Sequence, residues 1–346
     1  MARTSKNPNK LAKRDKRVLG LIAVVALVTF FGGLVLAAYA AVNYKYETRM
    51  ALDAPRDPVV FEVPKGSGLS SIATRLEGQD LVESAFIFKL VTKMRGNEAN
   101  FKAGEFLLTP GDPMAKIYTD LAEGKAILYP VTIAEGLSSR QVMATLDLIP
   151  TLIDDNPPVP AEGTLLPETY LTPRDMKQSE LIAQMQAAQK EVLDALWENR
   201  AADLPVTTKA EAITLASVVE KETGIGSERD EVAGVFVNRL NRGMMLQSDP
   251  TIIYGITKGL PIGRRIRRSE IDARTDWNTY QMTGLPKTPI CNPGKEALAA
   301  VLNPAKTDNI YFVADGTGGH VFATSLSQHQ LNVAKWRKIQ RQRGQR

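Results

Sequence analysis

The residues in this chain best suited to chemistry are the two carboxylates of Glu220-Lys221-Glu222. They close the stretch Glu211-Ala-Ile-Thr-Leu-Ala-Ser-Val-Val-Glu220-Lys-Glu222-Thr-Gly224. A carboxyl group can lend a proton and take one back when burial lifts its pKa toward neutrality. The run before the pair is apolar and small, which predicts a helix largely buried in a core, with Gly224 as its stop signal. Residues two apart on a helix point about 200° apart, so the two carboxylates face nearly opposite ways. Glu220 shares a face with Ile213 and Ala216, which turns it inward or into a cleft and favours its protonated form. Glu222 is expected to meet solvent or a basic partner. On composition alone, an ordinary helix end with solvated charges fits the same residues.

A second set of residues follows in sequence: Asn238, Gln247, Asp249, Tyr254, Asn278 and Tyr280, among Gly and Pro turns. Singly, each reads as a cap, a turn residue or core. Together, amides, phenol hydroxyls and an acid are what a sugar-binding groove uses, since aromatic faces cover sugar rings and amides read hydroxyl and acetamido groups. Cys291 is the only cysteine, which excludes an intrachain disulfide and a Cys-based metal site. His320 and His329 are the only histidines, too few for a His cluster, and no motif supports a His-dependent nucleophile.

The elements that must position these residues follow from pattern. Residues 1–17 form a basic tail, and Val18 to Tyr44 carries no charge and exceeds the roughly 20 apolar residues that span a bilayer. The Lys and Arg before it predict a cytoplasmic N-terminus and an external remainder. A cleaved signal peptide, with Ala37-Ala38-Tyr39-Ala40 near its end, is the rival, but its apolar core is usually about 7–15 residues.

Residues 45–57 read as a polar linker. Residues 58–128 alternate strand and helix: a strand at Val59–Val63, a Pro64-Lys-Gly-Ser-Gly68 turn, then Leu69, Ile72, Ala73 and Leu76 at helical spacing. Helices about Ser84–Met94 and Met114–Leu121 flank a strand within Phe101–Leu108. Residues 129–332 open with a strand at Tyr129–Ile133, pass a Pro- and acid-rich loop from Asp154 to Gly163, and reach the central stretch through a helix over Ser179–Asn199. Residues 333–346 are a second basic tail, expected to be solvated. The fold class is α+β.

The formal charge of +5 sits at the ends. Of 43 basic and 38 acidic residues, the tails hold 13 and 1, leaving 30 against 37 in the body. That acidic balance argues against a phosphate-binding footprint, and so against nucleic acid.

The strand, Pro-x-Gly turn and helix after residue 58 resemble the opening of a LysM module, which binds N-acetylated glycan strands. Over nearly the whole chain the resemblance is to the MltG/YceG family, the membrane-anchored endolytic murein transglycosylases of bacteria. It rests on Ser217-Val-Val-Glu-Lys-Glu-Thr, Ser227-Glu-Arg-Asp, Val237-Asn-Arg-Leu, Leu246-Gln-Ser-Asp-Pro-Thr-Ile-Ile-Tyr-Gly, Asn278-Thr-Tyr, Thr283-Gly-Leu-Pro and Tyr311-Phe-Val-Ala-Asp with Gly318-Gly-His. The motif-free stretch Lys258–Arg274, with its arginine cluster, departs from the family pattern.

The resemblance implies catalysis by the first Glu of Glu-Lys-Glu, Glu220, without metal or organic cofactor. It implies cleavage of the β-1,4 bond between N-acetylmuramic acid and N-acetylglucosamine within a peptidoglycan strand, leaving a 1,6-anhydro end. The expected setting is a single-pass inner-membrane protein with an external catalytic domain that sets strand length beside peptidoglycan synthases (penicillin-binding proteins). Two rivals remain: a muramidase-type hydrolase with Asp249 as second carboxylate, and a wall-binding anchor without activity.

Overall fold

A computed structural model describes residues 8–50, 56–96, 101–124 and 126–344, with side chains from residue 18 on. Residues 51–55, within the expected linker, and residues 1–7 of the N-terminal tail lie outside the described residues. The chain divides into two compact units, at Ile127 and Leu128.

The first unit begins with helix α1 (Pro8–Glu47), whose portion Val18–Glu47 is long and apolar enough to cross a membrane and whose most apolar stretch is not covered by protein. The expected linker starts later than the sequence suggested. Helix α1 runs through residues 45–47, and Tyr46 is fully buried against Phe88 in the unit's core. Strand β1 (Val59–Val63), helices α2 (Leu69–Gly78) and α3 (Ala85–Met94), strand β2 (Gly104–Leu108) and helix α4 (Met114–Ala122) complete it. β1 and β2 pair antiparallel, with Phe61 opposite Phe106, both buried. Leu69, Ile72, Ala73 and Leu76 are the buried face of α2, as their spacing requires.

The second unit contains strands β3 (Tyr129–Thr132), β4 (Leu152–Ile153), β5 (Thr169–Thr172), β6 (Met176–Lys177), β7 (Tyr311–Ala314) and β8 (His320–Ala323). Its helices are α5 (Ser139–Leu146), α6 (Gln178–Glu198), α7 (Lys209–Glu222), α8 (Gly226–Asn241), α9 (Asp249–Thr257), α10 (Arg268–Asp272), α11 (Lys295–Leu302) and α12 (Leu326–Gly344). The strands pair two by two: β3–β5 and β7–β8 antiparallel, β4–β6 parallel.

The larger core is helical. Leu215, Ala216, Val218 and Val219 of α7 meet Val232, Ala233 and Phe236 of α8 and Leu298, Val301 and Leu302 of α11. Burying a side chain of this size contributes about 1.5–3 kcal/mol, so this packing fixes the axis of α7 and the direction of everything at its end. A smaller core joins Val131 of β3, Val142 and Leu146 of α5 and Leu181 and Met185 of α6.

Two boundaries differ from expectation. Helix α7 stops at Thr223, which turns to extended backbone (φ −140°, ψ 129°), and Gly224 does not adopt the left-handed conformation of a glycine stop. The C-terminal basic stretch is not a free tail. Helix α12 begins at Leu326 and packs on β7 and β8. Trp336 and Ile339 lie over Gly316, where an added Cβ would come 3.0 Å from the Ile339 side chain, and the Arg343 guanidinium donates to the Gly316 carbonyl. Its apolar residues found a hairpin to cover, a contact the charge run concealed.

Candidate active site

Helix α7 is anchored at its start and packed along its length, so its last turn is held rigidly. The Thr208 hydroxyl accepts from the N–H of Glu211 (3.2 Å), while the Glu211 carboxylate accepts from the N–H of Thr208 (3.1 Å). Such a cap contributes about 1 kcal/mol. Midway, the Ser217 hydroxyl accepts from the N–H of Ile290 (3.0 Å) and ties the 288–293 segment to the helix. The two carboxylates of the last turn then enter two different environments, as the helical geometry requires.

On one side, Glu220 is half-buried. Its carboxylate accepts from the N–H of Gly294 (3.0 Å). Burial raises its pKa above the ordinary carboxylate value, and the nearby Glu135 adds to the rise; the Gly294 hydrogen bond, Arg229 and Lys221 oppose it. A side chain at Gly294 would displace the Glu135 carboxylate, which lies where its Cβ would stand. Next to this group, Gly136, Lys221, Pro250, Ile253, Tyr254, Leu260 and Ile290 are among the lining of a mainly apolar cavity of about 440 Å³. The Tyr254 hydroxyl donates to Glu162 (3.0 Å), and its ring meets Trp277 edge-on at 5.6 Å. Burial raises the pKa of Glu162 too, against the hydrogen bonds it receives from Ser139 and Tyr254.

On the other side lies a more polar cavity of about 420 Å³, lined by Glu222, Arg239, Leu246, Gln247, Asp249, Tyr280, Phe312, His320, His329 and neighbours. Glu222 does not stand out in solvent as expected. It accepts a 2.5 Å hydrogen bond from the Ser248 hydroxyl. Burial raises its pKa, with Asp249 adding to the rise; the Ser248 hydrogen bond, His320 and Arg239 act the other way. Arg239 lines the same cavity, a buried residue whose Nε donates to the Ile310 carbonyl (2.7 Å) and Nη1 to the Leu246 carbonyl (2.6 Å).

The remaining polar residues are fixed around it. Ser248 is the N-cap of α9, and its N–H donates to the Thr279 hydroxyl (3.0 Å). Gln247 takes a left-handed backbone (φ 53°), and its N–H donates to the Thr279 carbonyl (3.1 Å). The Tyr280 hydroxyl donates to Asp249 at 2.7 Å, and burial, with Asp249 and Glu222 nearby, raises the phenol's pKa.

Of the sequence-derived set, Gln247, Asp249 and Tyr280 therefore gather in one cavity, and the acid they share is Glu222 rather than Glu220. Tyr254 lines the other cavity. Asn238 and Asn278 are committed elsewhere. The Asn238 amide donates to the carbonyls of Thr307 (2.7 Å) and Asn309 (3.0 Å), and that of Asn278 to Ile271 (2.9 Å) and Ala273 (2.6 Å). Their amide hydrogens hold loops and are spent on backbone acceptors, which argues against a direct role in reading a sugar.

Glu222, Ser248, Arg239 and both histidines were not singled out as site residues. One signal was present: Glu222 lies three, four and seven residues after Val219, Val218 and Leu215, all fully buried, a more deeply sunk face than that of Glu220.

A helical core that presents a protonatable carboxyl in a polar cavity is an arrangement suited to acid–base cleavage of a glycan. The model of the YceG-like family matches residues 61–335, and the chain belongs to that family. It is 30% identical over 362 residues to a protein of Streptococcus pneumoniae serotype 2 named endolytic murein transglycosylase, covering 90% of this chain and 64% of that protein. It is 28% identical to a Bacillus subtilis protein of the same name, covering 80% of this chain and 84% of that one. A crystal structure of a yceG-like protein from Listeria monocytogenes aligns with a TM-score of 0.48 at 26% identity, over 80% of this chain and 98% of that one. The chain thus spans 64% of the length of its pneumococcal relative.

Proposed function

We propose that this chain is a membrane-anchored lytic transglycosylase that cuts within peptidoglycan glycan strands, with Glu222 as its acid. The observation that carries the proposal is the meeting of a partly buried carboxyl of raised pKa with Gln247, Asp249 and Tyr280 in a single cavity. The names of the relatives in Streptococcus pneumoniae and Bacillus subtilis supply the substrate class.

Protonated Glu222 gives its proton to the oxygen between N-acetylmuramic acid and N-acetylglucosamine, and the C1–O bond breaks. The C6 hydroxyl of the same muramic residue closes on C1, forming the 1,6-anhydro end and consuming no water. One carboxyl can serve both proton transfers, since it is ionised after the first and the nucleophile belongs to the substrate. Gln247, Asp249 and Tyr280 bind the sugars on either side. Arg239 holds the cavity wall and offsets charge as Glu222 ionises.

The first unit, with β1, α2, α3 and β2 in that order, serves as a LysM-like glycan-binding module. Helix α1 is the single-pass anchor, with the N-terminus cytoplasmic and the remainder outside the inner membrane. At that position the enzyme would end the elongation of new strands beside penicillin-binding synthases.

A second reading keeps Glu220 as the acid. It is favoured by the burial that also raises Glu220, and by its neighbours Gly136 and Lys221 lining the cavity of Tyr254. The hydrolase alternative uses Asp249 beside Glu222. End-group analysis of digested strands tests the proposal: 1,6-anhydro ends support it, whereas reducing ends would establish hydrolysis.

A further inference from the structure

We infer that His320 is a second catalytic residue of the Glu222 cavity: oriented by Glu228, it takes the proton of the attacking C6 hydroxyl through Nε2. The inference rests on the lytic reading of that cavity. Nδ1 of His320 lies 2.9 Å from Oε2 of Glu228. An ionised carboxylate only accepts, so the neutral ring carries its proton on Nδ1 and keeps a lone pair on Nε2. Among the described residues Nε2 has no hydrogen-bond partner, and the ring lines the cavity that contains Glu222.

The pair is built in. Oε1 of Glu228 accepts the backbone N–H of His320 (3.0 Å). Glu228 occupies the first turn of α8, where the helix dipole favours a carboxylate. Residue 319 is glycine, and a Cβ there would stand 2.5 Å from Oε1 of Glu228 and 3.4 Å from Asp315. Phe312 meets the imidazole edge-on at 5.3 Å, and the side chain is 17% exposed, which fixes its orientation while leaving it reachable. A carboxylate behind an imidazole fixes its tautomer and stabilises the imidazolium formed when it accepts a proton.

The protons balance. Glu222 gives one to the departing sugar oxygen as the C1–O bond breaks. The C6 oxygen bonds to C1 and its proton passes to Nε2. Once the product leaves, His320 returns its proton to solvent and Glu222 regains one. Splitting the two transfers between two groups lets acid and base act in one step.

The charged and titratable groups around His320 are Glu228 and Arg239 of α8, Asp315 of the β7–β8 turn, Glu222 of α7, Asp249 of α9, Tyr280, and His329 of α12. Burial and Arg239 keep His329 on the neutral side, and it stacks on Tyr311 at 5.0 Å, so it does not compete for the role. Activity then requires a free lone pair on Nε2 of His320 and a proton on Glu222, so kcat falls at both ends of the pH range.

The test uses the full chain in detergent and glycan strands freed of stem peptides, with kcat followed from about pH 5 to 8. His320→Asn is expected to lose about 100-fold or more in kcat and to lose one of those two falls. Glu228→Gln should lower kcat and displace the pH profile while the imidazole remains, and it carries the test if His320→Asn does not fold. An unchanged kcat in His320→Asn, or a lower kcat with both falls intact, would overturn the assignment. Glu222→Gln separates the two ideas: if it is inactive while His320→Asn matches wild type, only the histidine role falls. If Glu222→Gln is fully active, the reading of the cavity itself falls.

Discussion

The two sides of the last turn of α7 make an instructive comparison. Both present a partly buried glutamate whose pKa is raised by desolvation. They differ in what surrounds the carboxyl. Glu220 meets a backbone N–H, a second glutamate and an apolar cavity whose tyrosine is engaged with Glu162. Glu222 meets a serine hydroxyl, a buried arginine, a Tyr–Asp pair and an imidazole paired with a carboxylate. A raised pKa therefore does not by itself locate an acid site; the convergence of polar groups on it does.

Substitutions on the two sides should separate stability from activity. The largest stability effect is expected from Arg239→Met, which strands the carbonyls of Ile310 and Leu246. A loss of about 3 kcal/mol should appear in denaturant unfolding. Arg229→Met, on the Glu220 side, removes a looser 3.9 Å contact with Glu135 and should cost about 1 kcal/mol. Equal losses would erase the distinction between the two walls.

Tyrosine variants carry the contrast to activity. Tyr280→Phe removes the hydroxyl on Asp249 and should reduce kcat/KM about tenfold, with little change in unfolding. Tyr254→Phe leaves the half-buried Glu162 short of a donor, so it should lower stability by about 1 kcal/mol and leave kcat/KM within about twofold. Kinetics showing the reverse pattern would favour the Glu220 side.

The pH dependence of stability gives a smaller signal with a definite sign. Glu222 has a folded-state pKa raised above its unfolded value. Its protonation therefore contributes stability that is fully present below about pH 4.3 and is lost as pH rises through the folded pKa. Glu222→Gln removes that loss, so it should melt higher than wild type near neutrality, with the gain fading as the pH falls below the unfolded value. A gain that is independent of pH would contradict the assigned cause.

How much of this was legible in the sequence depended on the range of the interaction. Local periodicity placed α2, α7 and the strands β1, β2 and β3 within a few residues, because burial of one face is written into the spacing of Leu69, Ile72 and Leu76. The opposition of Glu220 and Glu222 was also legible, since it is helical geometry. Which side held the site was not. That depends on Ser248, Arg239 and His320 arriving from distant segments. Asn238 and Asn278 mislead for the same reason: an amide in a motif looks like a sugar reader until its carbonyl partners are known. Asn238→Ala is accordingly expected to cost about 1 kcal/mol with KM unchanged.

The most direct measurement is a side-by-side digestion of purified glycan strands by Glu222→Gln and Glu220→Gln, counting 1,6-anhydro ends by mass spectrometry. The account predicts that Glu222→Gln loses between about 100- and 10,000-fold of the wild-type rate, while Glu220→Gln stays within about tenfold. Wild-type rates from Glu222→Gln, with the loss falling on Glu220→Gln instead, would contradict it.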